Sequence, residues 1–298
     1  MQRCRICGNE VAKYGDFRYF SLWKCDTCGF VAKTYGKELQ ERVSGGTVYE
    51  SGDWILSRQI DESAKRYATD LFNIYRSCLK PGSLLEIGPG DGWNLRLVRD
   101  AGWSVTGVEA SRANCEYIKS VHGIDVINDR FENVRIGLQY DNVLLSHVIE
   151  HIEDPKPFLQ RALDLLVPGG ALVVATPNLC SKWSQLWGPR WSSYLVPDHI
   201  SFFCTKHLEL LAGERASALF EGSYEGPTNF SDSLTGALFN GRFQERMMQR
   251  LRADSAQGNA LKDGGKLLRL AKNLSGRPFR RLGKTLSGTD LILVLRRR

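Results

Sequence analysis

The sequence predicts an α/β protein: a parallel sheet with helices on both faces, a small cysteine-rich module before it and a basic helical segment after it. Three observations carry this reading. Short apolar runs alternate with amphipathic stretches from Leu84 onward. Four of the eight cysteines fall within the first 28 residues. Basic residues crowd the last quarter, with few acids to oppose them.

The 298 residues are 42% hydrophobic and 24% charged, an ordinary globular composition with room for one large core and an accessory module. No apolar stretch follows Met1-Gln-Arg-Cys-Arg, which argues against a secretory signal. No apolar run approaches the ~18 residues of a membrane span, so the expected location is the cytoplasm. The units expected are 1–33 for the cysteine-rich module, 34–80 for a linker and lead-in helix, 81–227 for the α/β core, and 228–298 for a helical insertion and final strand.

In the first unit, Cys4-Arg-Ile-Cys7-Gly and Cys25-Asp-Thr-Cys28-Gly form two CxxC knuckles. Each lets two thiolates approach one ion from a tight turn, and four thiolates suit a tetrahedral, structural Zn²⁺ with no open position for catalysis. The glycine after each second cysteine serves a turn of positive φ. The aromatic-rich segment Tyr14 to Lys24 suits two short strands, making the module a zinc ribbon that depends on its metal to fold. Disulfides within the cluster are the competing reading, disfavoured in a reducing compartment. The scattered Cys78, Cys115, Cys180 and Cys204 read as small buried apolar residues.

A helical lead-in is expected over Tyr49 to Tyr75, with Tyr49 placed to close over a ligand. The core strands are predicted at Ser83–Ile87, Ser104–Glu109, Asp125–Asn128, Asp141–Ser146 and Gly170–Thr176, with helices beginning near Asn94, Arg112 and Pro157. In such sheets ligands bind at the carboxyl ends of the strands. The first end carries Leu85-Glu86-Ile87-Gly88-Pro89-Gly90-Asp91-Gly92-Trp93, a turn over which a ligand can lie against backbone. A dinucleotide fingerprint would place a third glycine where Trp93 stands, and Glu86 sits where it can accept from a ligand amine. Both details favour S-adenosylmethionine over NAD. The second strand ends in Glu109-Ala110-Ser111, where Glu109 fits ribose hydroxyls and Ser111 caps the next helix. The third ends in Asp129-Arg130-Phe131, where a carboxylate can accept from an adenine amine.

Together with these pieces stand Leu145-Ser146-His147-Val148-Ile149-Glu150-His151-Ile152-Glu153-Asp154-Pro155, Leu166-Val167-Pro168-Gly169-Gly170, Ala175-Thr176-Pro177-Asn178 and Asp198-His199-Ile200-Ser201-Phe202-Phe203. The ordered set covers about two-thirds of the chain. It resembles the class I S-adenosylmethionine-dependent methyltransferases and, more narrowly, the bacterial family with an N-terminal CxxC…CxxC zinc ribbon (methyltransferase-domain family 23). The resemblance implies a Rossmann-like methyltransferase sheet, with the cofactor held along Glu86, Gly88, Gly90, Gly92, Glu109, Ala110, Asp129, Arg130, Phe131, Ser146 and His147. Pro89 departs from the family, where small residues or cysteine are frequent, and should stiffen the turn.

A hydroxyl acceptor benefits from a base, typically worth ~10²–10⁴-fold. His147, His151 and His199 are the candidates, imidazole titrating near neutrality, with His151 and His199 favoured. His147 and His151 stand four apart, a spacing that shares a face on a helical turn. Trp183, Trp187, Trp191 and Tyr194 could wall an acceptor pocket or be core, with Trp191 and Tyr194 expected nearest the pocket. The expected acceptor is a small molecule or glycan, as in enzymes that decorate surface polysaccharides. The basic C-terminal region could seat a phosphate-linked substrate or lie on an anionic membrane surface. An RNA methyltransferase gripping phosphate with ribbon and basic tail is the alternative. Against it, Ser-His-Val-Ile-Glu-His is not the Asn-Pro-Pro-Tyr type that clamps a flipped adenine.

Overall fold

A computed structural model of the chain describes residues 3–37, 62–196, 198–224 and 288–298. Its apolar runs are buried on both faces, and these form the centre of a seven-stranded sheet. Strands β4 (Ser83–Ile87), β5 (Ser104–Glu109), β6 (Ile127–Asn128), β7 (Tyr140–Ser146) and β8 (Leu166–Pro177) run parallel. Strands β10 (Ala216–Tyr224) and β11 (Asp290–Arg297) close one edge antiparallel, giving the order β10-β11-β8-β7-β4-β5-β6. The order reverses direction at β4, so the crevice at the carboxyl ends of β4 and β7 is where such a sheet binds ligands.

Period-two alternation divides the core. Leu85 and Ile87 face one hydrophobic cluster, and Leu84 faces the other. Helices α1 (Glu62–Arg76), α2 (Trp93–Asp100) and α3 (Arg112–His122) cover the Leu84 face with Leu71, Phe72, Leu95, Val98 and Ile118. Helix α4 (Pro155–Asp164) covers the opposite face with Phe158, Leu159 and Leu163. Helix α6 (Thr205–Ala212) joins it there through Leu208 and Leu211, while the short α5 (Lys182–Trp187) follows β8. Ser111 caps α3 as expected, its Oγ accepting from the Asn114 N–H at 3.3 Å.

The cysteine-rich module forms β1 (Val11–Asp16), β2 (Phe20–Cys25) and β3 (Val31–Tyr35), an antiparallel sheet. Two features depart from a separate ribbon ending at Lys33. Strand β3 runs on to Tyr35, and it pairs with β9 (Ser201–Phe202), a piece of the larger α/β domain. Apolar side chains explain why. Cys4, Cys25, Cys28 and Phe30 share one cluster with Phe158, Phe203 and Leu208 of the larger domain.

The scattered cysteines are corrected in part, since only Cys204 is buried as expected. Cys180 is exposed and forms a disulfide with Cys204, whereas Cys78 and Cys115 are half-buried free thiols. Cys180 follows β8 and Cys204 stands at the N-cap of α6, so the disulfide ties two segments that the Asn178–Phe203 bridge already brings together. Among the described residues no helix is long and apolar enough to cross a membrane. The suggested closure by Tyr49, the linker beyond residue 37 and the basic insertion up to residue 287 lie outside the described residues.

Candidate active site

The turn after β4 is built as its glycines require. Gly88, Gly90 and Gly92 have φ of +68°, +59° and +76°. A Cβ on Gly88 would stand 2.8 Å from Val148 Cγ2, so glycine is required there by packing as well as by φ. Trp93 opens α2 half-buried, its ring edge-on to His122 at 5.1 Å and within 5.0 and 4.9 Å of the cations of Lys65 and Arg96.

Two buried carboxylates underlie the turn. Glu86 Oε1 accepts from Asn94 Nδ2 at 2.9 Å, while Oε2 is buried with no hydrogen-bond partner among the described residues. Burial raises the Glu86 pKa to about 8 against the help of Asn94. An orphaned acceptor of this kind fits a ligand ammonium group. Glu109 accepts from the Gly90 N–H at 3.0 Å and the Ser111 N–H at 2.8 Å, and burial raises its pKa despite these bonds.

The neighbouring predicted positions divide. Ala110 gives its carbonyl to Asn128 Nδ2 at 3.2 Å. Asp129 is exposed and accepts from the Arg130 N–H at 2.7 Å, so its carboxylate is held at the β6 end. Phe131 lies in the core, its ring edge-on to Phe158 at 5.1 Å, which leaves its backbone as the part that can meet a ligand.

At the end of β7 the chain turns sharply, and His147 takes φ +54°, the one positive φ outside glycine among the described residues. A 3₁₀ turn, Ile149–His151, follows. His147 and His151 therefore do not share a helix face. They meet instead around Glu150, which is fully buried. His147 Nδ1 donates to Glu150 Oε1 at 3.1 Å, and the Tyr67 hydroxyl donates to His147 Nε2 at 2.8 Å. Nε2 of both His151 and His199 lies 4.0 Å from the same oxygen, and Thr176 Oγ1 donates to Oε2 at 2.9 Å. Burial pushes Glu150 up, but the His147 hydrogen bond and the three imidazoles outweigh it and hold the carboxyl at about 2. Glu150 is thus an ionised hub.

His151 Nδ1 donates to the Asp198 carbonyl at 2.9 Å, which fixes its tautomer and leaves the Nε2 lone pair toward the cluster. His199 stands 4.9 Å away, ring to ring, and burial followed by the nearby His151 lowers its pKa to about 3. It is neutral at ordinary pH. The structure thus brings together both predicted catalytic residues. The ligand atoms of Glu150, His151 and His199 lie within 4.8 Å of one another, a convergence that suits a shared proton and whose donor types also suit a divalent cation.

Trp191 and Tyr194 are corrected. They are 1% exposed and pack on Phe20, Leu22, Val31 and Phe202 between the module and the larger domain, because rings of this size bury fully where two sheets meet. Trp183 and Trp187 are the half-exposed pair. Three site residues went unassigned in the sequence. Glu150 stood in the quoted His-Val-Ile-Glu-His run without a role, and its position between two histidines was the available signal. Tyr67 and Asn94 had no signal, since only folding places them.

The four module cysteines also converge. Cys4 Sγ and Cys28 Sγ are 3.5 Å apart, as are Cys7 Sγ and Cys25 Sγ, and all four lie within 4.8 Å. Zn–S bonds of about 2.3 Å in a tetrahedron put sulfurs roughly 3.8 Å apart, so the donor set fits Zn²⁺. Gly8 and Gly29, after each knuckle, have φ of +74° and +79° as expected.

Comparison with known proteins agrees with this geometry. A family model described as a methyltransferase domain matches residues 57–216, more than half of the chain. Ubiquinone biosynthesis O-methyltransferase of Rhodopseudomonas palustris is 29% identical over 163 residues, 48% of this chain and 64% of that protein. The enzyme of that name from Cereibacter sphaeroides is 30% identical over 138 residues, 39% of this chain and 56% of its own. The chain thus spans somewhat over half the length of these relatives. A Thermotoga maritima structure described as a methyltransferase, possibly acting on histamine, aligns with TM-score 0.53 at 15% identity, covering 84% of this chain and 98% of that one. The [4+2]-cyclase SpnF aligns with TM-score 0.51 at 16% identity, covering 78% and 80%. At such identities these structures speak for the fold alone, and a cyclase among them shows why.

Proposed function

The chain belongs to the methyltransferase-domain family, and from that premise we propose that it transfers a methyl group from S-adenosylmethionine to a hydroxyl of a small molecule, a sugar or sugar-linked intermediate. The observation that carries the hydroxyl reading is the ionised Glu150 ringed by His147, His151 and His199. The sulfonium of S-adenosylmethionine supplies a methyl group already activated for transfer.

The residues of the chain do the rest. Glu86 takes the ligand ammonium with its orphaned oxygen, Glu109 takes ribose hydroxyls, and Asp129 takes the adenine amine. The backbone at Ser146 and His147 borders the reacting end. The acceptor proton passes to the imidazole pair, for which the His151 Nε2 lone pair is prepared by the bond from Nδ1–H to Asp198. Glu150 then stabilises the imidazolium by charge. The relatives' printed names support transfer to oxygen, and they favour a small acceptor over RNA. A structural Zn²⁺ on Cys4, Cys7, Cys25 and Cys28 completes the protein. The basic residues of the C-terminal region supply a seat for an anionic, phosphate-linked acceptor or for a membrane surface.

Calorimetry with S-adenosylmethionine, S-adenosylhomocysteine and NAD, with metal analysis of the same sample, tests the first half. Binding of the two adenosyl ligands with silence toward NAD is expected, with about one zinc per chain. No adenosyl binding by folded protein would end the enzyme reading. A screen of nucleotide sugars, phenols and RNA then tests the acceptor. On the acceptor found, His151→Ala or His199→Ala should cost about 10²–10⁴-fold in kcat with the cofactor affinity kept. A second reading, a divalent cation on Glu150, His151 and His199, is favoured by their convergence and predicts stimulation by added Mn²⁺, Fe²⁺ or Zn²⁺.

A further inference from the structure

Lys33 is the only lysine or arginine fully buried among the described residues. It stands on β3, in the cysteine-rich module, and its side chain crosses into the catalytic half. Nζ donates to the Tyr194 carbonyl at 3.1 Å and to the Val196 carbonyl. The ammonium lies 5.2 and 5.3 Å from the ring centroids of Phe20 and Tyr35, which line its tunnel. The backbone joins the grip. The Lys33 N–H donates to the Ile200 carbonyl at 3.0 Å, and Ala32 and Val31 pair with Ser201 and Phe202.

Within the gripped span lie the two groups that shape the histidine cluster. The Asp198 carbonyl receives the His151 Nδ1–H, and His199 faces Glu150. The Ile200 N–H donates to the Glu150 carbonyl at 2.8 Å, tying the span to the hub itself. Burying a cation is costly, and an apolar side chain would fill the tunnel without that cost. An apolar side chain would hold neither carbonyl. Burial pushes Lys33 down to about 7 against the pull of Asp198, yet a neutral amine still has two N–H donors for its two carbonyls. The grip holds in either charge state.

We propose that Lys33 is a positioning residue for the proton-accepting cluster: from the cysteine-rich module it holds the backbone at Tyr194, Val196 and Ile200 so that the imidazoles of His151 and His199 keep their places about Glu150. This rests on the reading of His151 and His199 given above. It makes the module a wall of the acceptor side of the site, beyond its role in folding.

The test is imidazole ¹⁵N NMR on the full chain, whose five histidines keep the spectrum assignable. The protein carries its metal and is saturated with S-adenosylhomocysteine. Wild type is expected to show His151 as a single tautomer protonated at Nδ1. In Lys33→Met, whose stem fills the same tunnel, the His151 signal should lose that single-tautomer pattern and the His199 signal should shift. The His122 and His207 signals should stay in place, and adenosylhomocysteine affinity should stay within about twofold, since both report on parts that Lys33 does not touch. Lys33→Gln, which keeps two N–H donors on a shorter stem, is run beside it and should give a smaller shift. A wild-type imidazole spectrum in folded Lys33→Met would overturn the proposal. The measurement needs no acceptor, so it separates from the reading beneath it: methyl transfer unaffected in both His151→Ala and His199→Ala would overturn proton acceptance, whatever the spectra show of Lys33.

Discussion

Glu86 is 1% exposed, and burial raises its pKa to about 8, so near pH 7 the free protein holds it mostly protonated. Pairing with a cofactor ammonium favours the ionised form, which lowers that pKa on binding. A proton must therefore leave. The expected release is most of one proton at pH 7, falling away by about pH 9, where the free protein has already lost it. Calorimetry of adenosylmethionine binding in phosphate and in Tris measures it, since the two buffers differ in ionisation enthalpy. Identical heats in both would sink the pairing. In Glu86→Gln the release should vanish and affinity should fall by about 1.5–3 kcal/mol, the worth of a hydrogen bond to a charged group. The same shift acts on the free protein. A carboxyl with a raised folded pKa stabilises below its unfolded value, so this contribution is lost as pH rises from about 4.5 through about 8.

At the scale of elements, helix α6 is pinned at its first turn by His207. Its Nδ1 accepts from the Cys204 N–H at 2.9 Å and its Nε2 donates to the Cys28 carbonyl at 2.9 Å, so one buried ring joins the helix cap to a cysteine knuckle. His207→Ala leaves both backbone groups buried without partners, and a loss of about 2–4 kcal/mol is expected in denaturant unfolding. A loss under about 1 kcal/mol would mean that water or a shifted backbone replaces the ring. Elements were legible in the sequence wherever burial was two-sided. Strands β4 and β5 match their expected limits residue for residue, because their apolar runs end at a glycine turn and a carboxylate. Strand β8 extends back to Leu166, through Pro168-Gly169-Gly170, because Tyr140 pairs with Leu166 before the register shift. Strand β10 went unseen. It is an edge strand with mostly exposed or half-exposed residues, Ala216 and Gly222 being its buried ones, so no apolar run marks it. The histidine cluster was half legible: its members were named, but a left-handed residue at His147 lies beyond periodicity.

At the scale of the whole molecule, the module and the sheet share one core. Cys4, Cys25, Cys28 and Phe30 sit in the cluster that also holds Leu145, Phe203 and Leu208, and β9 completes the module's sheet from about 170 residues further along the chain. Lys33 and His207 add buried polar ties across the same boundary. Two regions joined this way should unfold together. Calorimetry of the metal-loaded protein is expected to show one transition, with its van't Hoff enthalpy matching the measured one. On the proposed Zn²⁺ site, metal binding is folding energy for the four converging thiolates, worth many kcal/mol in small zinc modules. Chelation should therefore move the whole transition down, by roughly 10 °C or more for a loss of several kcal/mol. A module that merely decorated the sheet would give a different trace: a separate early transition removed by chelator, with the main one unmoved. That trace would also detach the 194–200 segment from metal occupancy, and the hold of Lys33 on the histidines would then have to survive with the cysteines empty.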